Sequence, residues 1–193
     1  MSTPVRAPIE LVLTSLPIER VESGVAVAGF FTDERPLRGG AARADWRLCG
    51  GLSRRIEQGE LSGRSGEAML IGSHRALRSP RLLLLGLGER SRYDRLRVTD
   101  ETRGALERCA QLGVSNVALA PLGIAADDVP RHAASVVAAV AGAWAKSSEP
   151  RRLLFCVPRS ELAAVLRAFE SACDTEGRTA IRVGTDEDGS EAG

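Results

Sequence analysis

Two kinds of hydrophobic pattern alternate along this chain and predict strands that alternate with helices. The run VAVAGFF at 25–31 is apolar at every position, which is typical of a strand covered on both faces. Two shorter apolar runs, EAMLIG and RLLLLGL, are separated by a polar segment and predict adjacent strands. The predicted strands cover residues 9–16, 25–31, 67–72, 81–87, 117–121, 153–157 and 179–183.

Apolar residues between these strands recur at helical spacing. The predicted helices begin after Gly40, at the N-cap Thr99, at Val129 and at the N-cap Ser160, and the first three end near residues 59, 113 and 146. This order of elements predicts an α/β fold, a three-layer α/β/α sandwich with a mixed sheet. We expect one domain over residues 1–184 and a disordered acidic tail at 185–193.

Charge and hydropathy narrow the classes of partner. The 193 residues include 26 Lys and Arg against 25 Asp and Glu, a formal net charge of +1. Neither nucleic acid nor an anionic membrane is expected as a partner, because this balance gives no long-range attraction to them.

The apolar runs are shorter than the roughly 20 residues of a membrane span, and the first residues lack the apolar core of a signal peptide. A cytoplasmic location is therefore expected.

Cysteines and histidines do not form the pattern of a metal or cofactor site. The cysteines have no Cys-x-x-Cys spacing and lie in apolar stretches, which favours buried free thiols. They are Cys49, Cys109, Cys156 and Cys173. His74 and His132 stand in different segments, each without a His partner at helical spacing. No metal and no cofactor are therefore expected.

A candidate binding site lies at 24–51, GVAVAGFFTDERPLRGGAARADWRLCGG. Within this stretch, a buried strand is followed by a charged loop, a glycine pair and a helix. Free backbone N–H groups at the mouth of such a helix can receive an anion or a ribose hydroxyl. The residues expected to line this cleft are Asp33, Arg38, Gly39, Gly40 and Asp45. The alternative interpretation is that the glycine pair only makes a tight turn into the helix.

The same stretch resembles the N-terminal domain of leucyl aminopeptidases, whose fold is that of the macro domains that bind ADP-ribose. The resemblance rests on DERPLRGGAARAD with WRLCGGLS behind it, and extends to SNVALAPLGIAADDVPRHAASVVAAV. It implies a macro-domain-like fold and adds Gly123, in the loop that would hold a phosphate, to the ligand-binding set. Asp127 and Asp128 in that loop are expected to repel a diphosphate. Residues 29–31 stand where a macro domain would have asparagines.

The resemblance implies a non-catalytic binding or regulatory module that acts through protein association, as a homo-oligomer or with a protein partner. In the enzymes it resembles, this domain helps to build the oligomer. The alternative is a macro-type domain that binds ADP-ribose or a related nucleotide. A third hypothesis is a metal-dependent aminopeptidase, whose metal ligands belong to a C-terminal domain. The segment CDTEGR at 173–178 is only a superficial echo of that domain's motif.

Two further groups of residues have structural interpretations. Four arginines around Tyr93 could bind phosphates, but neighbouring carboxylates dilute their charge and favour a solvent-facing loop. They are Arg90, Arg92, Arg95 and Arg97. Trp46 and Trp144 are expected in a core or a subunit interface, which is commoner for helix aromatics than a ligand pocket.

Overall fold

A mixed sheet of seven strands forms the middle layer. The computed structural model describes residues 7–145, 147–175 and 180–186. The strands are β1 Ile9–Thr14, β2 Val25–Phe30, β3 Ala68–Gly72, β4 Arg81–Gly86, β5 Asn116–Leu119, β6 Arg151–Cys156 and β7 Ile181–Thr185. Their order is β3-β4-β2-β5-β6-β1-β7, and all neighbours are parallel except β3 and β4. The predicted mixed sheet is confirmed.

Helices cover both faces of this sheet. They are α1 Gly39–Arg47, α2 Gly51–Glu57, α3 Arg95–Gln111, α4 Ala133–Trp144 and α5 Leu162–Thr175. Successive strand residues face opposite layers. In β4, Leu83 and Leu85 belong to the core with α3, α4 and α5, whereas Leu82 and Leu84 belong to the core with α1 and α2. These two hydrophobic cores confirm the three-layer α/β/α sandwich.

The first predicted helix is in fact two, α1 and α2. Cys49 and Gly50 between them have positive φ values of 53° and 76°, a conformation that ends a right-handed helix. The carboxylate of Asp45 on α1 accepts hydrogen bonds from the backbone N–H groups of Leu52 and Ser53, at 2.8 and 3.1 Å. It therefore caps the start of α2. The apolar pattern continues across the break, so periodicity did not reveal it.

Two of the later helices also begin at other residues than predicted. The N-cap of α3 is Asp94, whose carboxylate accepts a hydrogen bond from the N–H of Arg97 at 3.0 Å. The predicted cap Thr99 lies inside the helix, where its hydroxyl donates to the carbonyl of Arg95. A 3-10 turn at Ala126–His132 precedes α4. The predicted start of α3 was wrong because several polar residues near it can serve as a cap. The predicted start of α4 at Val129 was wrong because that residue belongs to the 3-10 turn.

The last described strand, β7, lies at the edge of the sheet beside β1. It covers Ile181–Thr185 where the sequence predicted a strand at 179–183, and residue 179 lies outside the described residues. Thr185 belongs to this strand, one residue beyond the predicted domain boundary. Residues 187–193 of the predicted tail and residues 176–178 of the CDTEGR segment lie outside the described residues. None of the described helices combines the length and the apolar character that crossing a membrane requires.

Cys49 departs from the prediction that all four cysteines are buried. It is exposed because it occupies the break between α1 and α2, whereas Cys109, Cys156 and Cys173 are buried. Burial raises the pKa of Cys109 and of Cys156 to about 12. Those two thiols therefore stay protonated at neutral pH and react slowly.

Replacing Gly40 by Ala is expected to lower the free energy of unfolding by about 1–3 kcal/mol. The added Cβ would overlap the Cβ of Ala120, so α1 would have to move away from the end of β5. Chemical denaturation measures the change. The matched control is Gly104→Ala inside α3, where the new Cβ meets only the end of the Arg108 side chain. That control should raise stability by about 0.5–1 kcal/mol, and equal losses in the two variants would contradict the prediction.

Candidate functional site

A cleft of about 560 Å³ opens at the carboxyl ends of four neighbouring parallel strands, β2, β5, β6 and β1. Its walls are formed by the segments that follow these strands. In open sheets with parallel strands, ligands bind in the crevice outside the carboxyl ends. The position of this cleft therefore makes it the candidate functional site.

The start of α1 forms one wall of the cleft. Gly39 and Gly40 line it, and no side chain caps this helix end. The N–H of Ala42 donates to the carbonyl of Arg38 at 3.2 Å, so the N–H groups before Ala42 have no partner within the helix. Gly39 has a φ of 53° and open space where a Cβ would lie. A helix N-terminus in this setting attracts an anionic group.

Two arginines share one carboxylate on the rim of the cleft. Oε1 of Glu34 lies 3.1 Å from Nη2 of Arg90 and 3.7 Å from Nε of Arg38. The guanidinium of Arg90 also lies over the ring of Phe31, 4.8 Å from its centroid. The Glu34 side chain is only 11% exposed, whereas that of Arg38 is 72% exposed. The three charged groups together leave one positive charge near the start of α1.

Aromatic packing fixes the opposite wall, in the loop after β5. Gly123 has a φ of 67°, and a Cβ there would lie 2.6 Å from the ring of Phe31 and 2.8 Å from that of Tyr93. The Tyr93 hydroxyl donates a 2.9 Å hydrogen bond to the carbonyl of Leu122. Burial raises the pKa of Tyr93, so the hydroxyl keeps its proton for this bond. Only glycine meets both the conformational and the steric requirement at position 123.

The carboxylates of this loop do not line the cleft. Segment 124–126 lines it, whereas Asp127 and Asp128 do not. Oδ1 of Asp128 accepts a 3.2 Å hydrogen bond from Arg131, and its Oδ2 lies 3.3 Å from Nε2 of His132. The sequence-based expectation that these carboxylates form part of the ligand site is therefore not met, and the walls consist mainly of apolar side chains and backbone.

Four of the six predicted site residues lie together in the cleft. They are Arg38, Gly39, Gly40 and Gly123. Asp45 is turned toward the start of α2, which it caps. Asp33 is exposed and accepts a 3.1 Å hydrogen bond from the N–H of Arg90. Both carboxylates stabilise neighbouring backbone and do not line the cleft.

Sequence reasoning missed Glu34, Phe31 and Arg90 as residues of the cleft. Of the four arginines around Tyr93, only Arg90 lines it. The position of Arg90 shortly after β4 could have indicated its place in the cleft, because β4 is parallel to β2 and lies beside it in the sheet. The carboxyl ends of neighbouring parallel strands meet at the same edge. The pairing of Glu34 with two arginines had no local signal, since it joins loops that follow different strands.

The polar groups of the cleft are suited to holding an anion. They are chiefly the guanidinium groups of Arg38 and Arg90 and the backbone N–H groups at the start of α1. Cys156 also lines the cleft, but its protonated thiol is a weak nucleophile. Among the described residues, no group of three or more His, Cys, Asp or Glu side chains could hold a metal ion.

Comparison with known proteins gives matches of two kinds. The family described as "Cytosol aminopeptidase family, N-terminal domain" matches residues 26–146. A probable cytosol aminopeptidase of Nitrosococcus oceani is 28% identical over 110 residues, which are 57% of this chain and 22% of that protein. One of Nitrosomonas eutropha is 33% identical over 93 residues, 48% of this chain and 18% of that protein. The chain thus spans about a fifth of the length of these relatives.

Solved structures support the fold. A mutant of tomato leucine aminopeptidase superposes with a TM-score of 0.67 at 15% identity, over 89% of this chain and 36% of that one. A mutant Oceanobacillus iheyensis macrodomain gives 0.65 at 11% identity, over 90% and 97% of the two chains. The macrodomain of the same organism with ADP gives 0.63 at 10% identity, over 82% and 89%. These similarities confirm a macro-domain-like fold.

The length of the family match shows whether the chain belongs to the family. It begins within β2 and ends just after α4, so it includes the glycine pair, the start of α1 and the loop after β5. Residues 26–146 are more than half of the 193 residues. The chain therefore belongs to the cytosol aminopeptidase family, through the N-terminal domain of that family.

Proposed function

We propose that this chain is a non-catalytic binding module and that the cleft at the strand ends is its ligand site. The observation that carries the proposal is the uncapped start of α1, which faces the loop after β5 across about 560 Å³ of open space. The family match is to the N-terminal domain of cytosol aminopeptidases, which supports this proposal.

A non-catalytic module is expected to leave leucyl-p-nitroanilide uncleaved when manganese or zinc is added, because no described group of side chains fixes a metal pair. Release of p-nitroaniline, followed by absorbance, is the measurement. A relative that contains the C-terminal catalytic domain serves as the positive control. Turnover by this chain that a chelator abolishes would overturn the non-catalytic assignment.

The ligand class that fits the cleft is an anionic nucleotide, ADP-ribose or a related compound. The rim carries Arg38 and Arg90 with a single carboxylate between them, and the helix N-terminus adds further donors. A solved macrodomain of the same fold contains ADP. Asp127 and Asp128 lie outside the lining, so a diphosphate in the cleft would not contact them directly.

Calorimetric titration with ADP-ribose is expected to show binding with a Kd below about 1 mM. Arg38→Glu should weaken it at least about tenfold, because reversal of one rim charge costs about 1.4 kcal/mol or more of binding free energy. Arg38 is largely exposed, so the variant should fold normally. Arg92→Glu is the matched control, since Arg92 is 80% exposed and lies outside the cleft. Absence of heat at millimolar ADP-ribose, or equal weakening by both variants, would refute this ligand class.

Self-association is a second candidate function, and the edge strand β3 favours it. The N–H of Ser73 donates to Pro80, and the carbonyl of Glu67 accepts from Gly86, so both residues hydrogen bond toward β4. Along an antiparallel strand, the backbone N–H and C=O groups of successive residues point alternately toward the paired strand and away from it. Those of the exposed residues 68, 70 and 72 therefore face away from the sheet. The strand AMLIG has no Lys or Pro to block the addition of another strand.

Replacing Leu70 by Lys is expected to shift the chain toward the monomer, because the charge would have to be buried when two β3 strands pair across a two-fold axis. Leu70 is 43% exposed and lies at the centre of β3. Size-exclusion chromatography with light scattering over a range of concentrations gives the mass. Leu96→Lys, at an exposed leucine on α3, is the control and should not change the mass. A wild-type chain that is monomeric at every concentration would exclude this candidate.

A further inference from the structure

A second depression, of about 550 Å³, lies beside the end of α1. We call it the basic depression. It is lined by Trp46 and by four arginines, Arg20, Arg47, Arg75 and Arg78. Its only residue in common with the ligand cleft is Leu16. It lies outside the proposed ligand cleft, so its function can be tested separately.

Trp46 is the large apolar side chain of this surface, and 76% of it is exposed. The guanidinium of Arg47 lies 6.0 Å from the centroid of its indole ring, which leaves the rest of the ring uncovered. The sequence-based expectation of a core or interface position is met by Trp144, which is buried, and not by Trp46 within this chain. Exposed tryptophan flanked by arginine is the composition of an interaction hot spot.

The charge of the basic depression is not balanced locally. None of its four arginines lies within ion-pair distance of a described carboxylate. Glu19 is the one carboxylate in the lining, and Arg43 binds both its oxygens at 2.9 Å. Among the described residues, these four arginines therefore give the depression a local surplus of positive charge. It attracts a negatively charged partner.

The loop that carries Arg75 and Arg78 is held in one conformation. The N–H of Arg78 donates to the carbonyl of Glu19 at 3.0 Å, and the Arg47 side chain donates to the carbonyl of Ala76 at the same distance. His74 and Arg75 both have positive φ values, 48° and 68°, which cost energy for residues with a Cβ. The bonds to Glu19 and Arg47 keep the loop in place despite this cost. The guanidinium groups are therefore presented on a fixed backbone.

We propose that the basic depression docks an acidic peptide segment of a partner protein, with an apolar side chain of that segment packed on Trp46. Buried Leu77 and half-exposed Leu16 give the depression an apolar lining that a peptide side chain can contact. Glutamate and aspartate side chains on either side of that contact pair with the arginines.

A peptide fits this surface better than a nucleic acid. Single-stranded nucleic acid binds to a series of aromatic side chains on which successive bases stack. Trp46 is the only exposed aromatic side chain on the described part of the chain; the four phenylalanines and Trp144 are buried and Tyr93 is half-buried. One aromatic ring with an apolar lining provides a single anchor pocket, which is the arrangement that peptide anchors use.

Fluorescence anisotropy with a labelled peptide of alternating glutamate and leucine tests the proposal on the full chain. We expect saturable binding that weakens as salt is added. Trp46→Ala should weaken it at least about fivefold, and the double variant Arg20→Glu/Arg78→Glu at least about tenfold. All three positions are exposed, and thermal melting checks that the variants fold.

The matched control is Arg92→Glu/Arg131→Glu, which makes the same change of net charge at exposed positions outside the basic depression. It should leave peptide binding within about twofold of the wild type. Equal weakening by the control would mean that net charge alone attracts the peptide, and would overturn the proposal. So would an oligothymidylate that binds more tightly than the peptide and is lost in the same variants. Titration with ADP-ribose tests whether the two sites are distinct. The depression variants should bind ADP-ribose as the wild type does, because the proposed cleft lies elsewhere.

Discussion

The approach of α1 to the end of β5 depends on the missing side chain of Gly40. Its backbone packs against Ala120 at a distance that no Cβ would tolerate. This contact brings the uncapped helix start to the sheet edge, opposite the loop that Gly123 holds against Phe31 and Tyr93. Close backbone packing therefore positions the two walls of the cleft. The charged side chains of the rim extend from this backbone and do not determine its position.

Most strands could be predicted from the sequence because they carry an apolar run of their own. Their order in the sheet could not, because it depends on pairing between distant segments. The ends of the helices could not be predicted, because each depends on one or two hydrogen bonds between a side chain and the backbone, such as those of Asp45 and Asp94. The glycine pair could be identified as a candidate from its position before a helix and from the resemblance of the surrounding segment to a known family. The contact of Glu34 with Arg90 was not, because it joins loops that are brought together only by the order of the strands.

Both ends of α1 border a concave surface. Its first turn lines the cleft and its last turn carries Trp46 and Arg47 at the basic depression. The fold is shared with an aminopeptidase and with macrodomains at 10–15% identity, so widely different sequences form this scaffold.

Glu34 has a consequence for selectivity. Its carboxylate is attached to the rim between Arg38 and Arg90, so an anion that binds there would have to compete with an intramolecular ligand of high effective concentration. A simple monoanion gains little by exchanging places with it, because one carboxylate-like contact replaces another. A group with two adjacent negative charges can engage both guanidiniums and still leave Glu34 free to turn toward water. If the cleft binds anions as proposed, its rim would therefore favour ligands of high charge density over monoanions, without a steric gate.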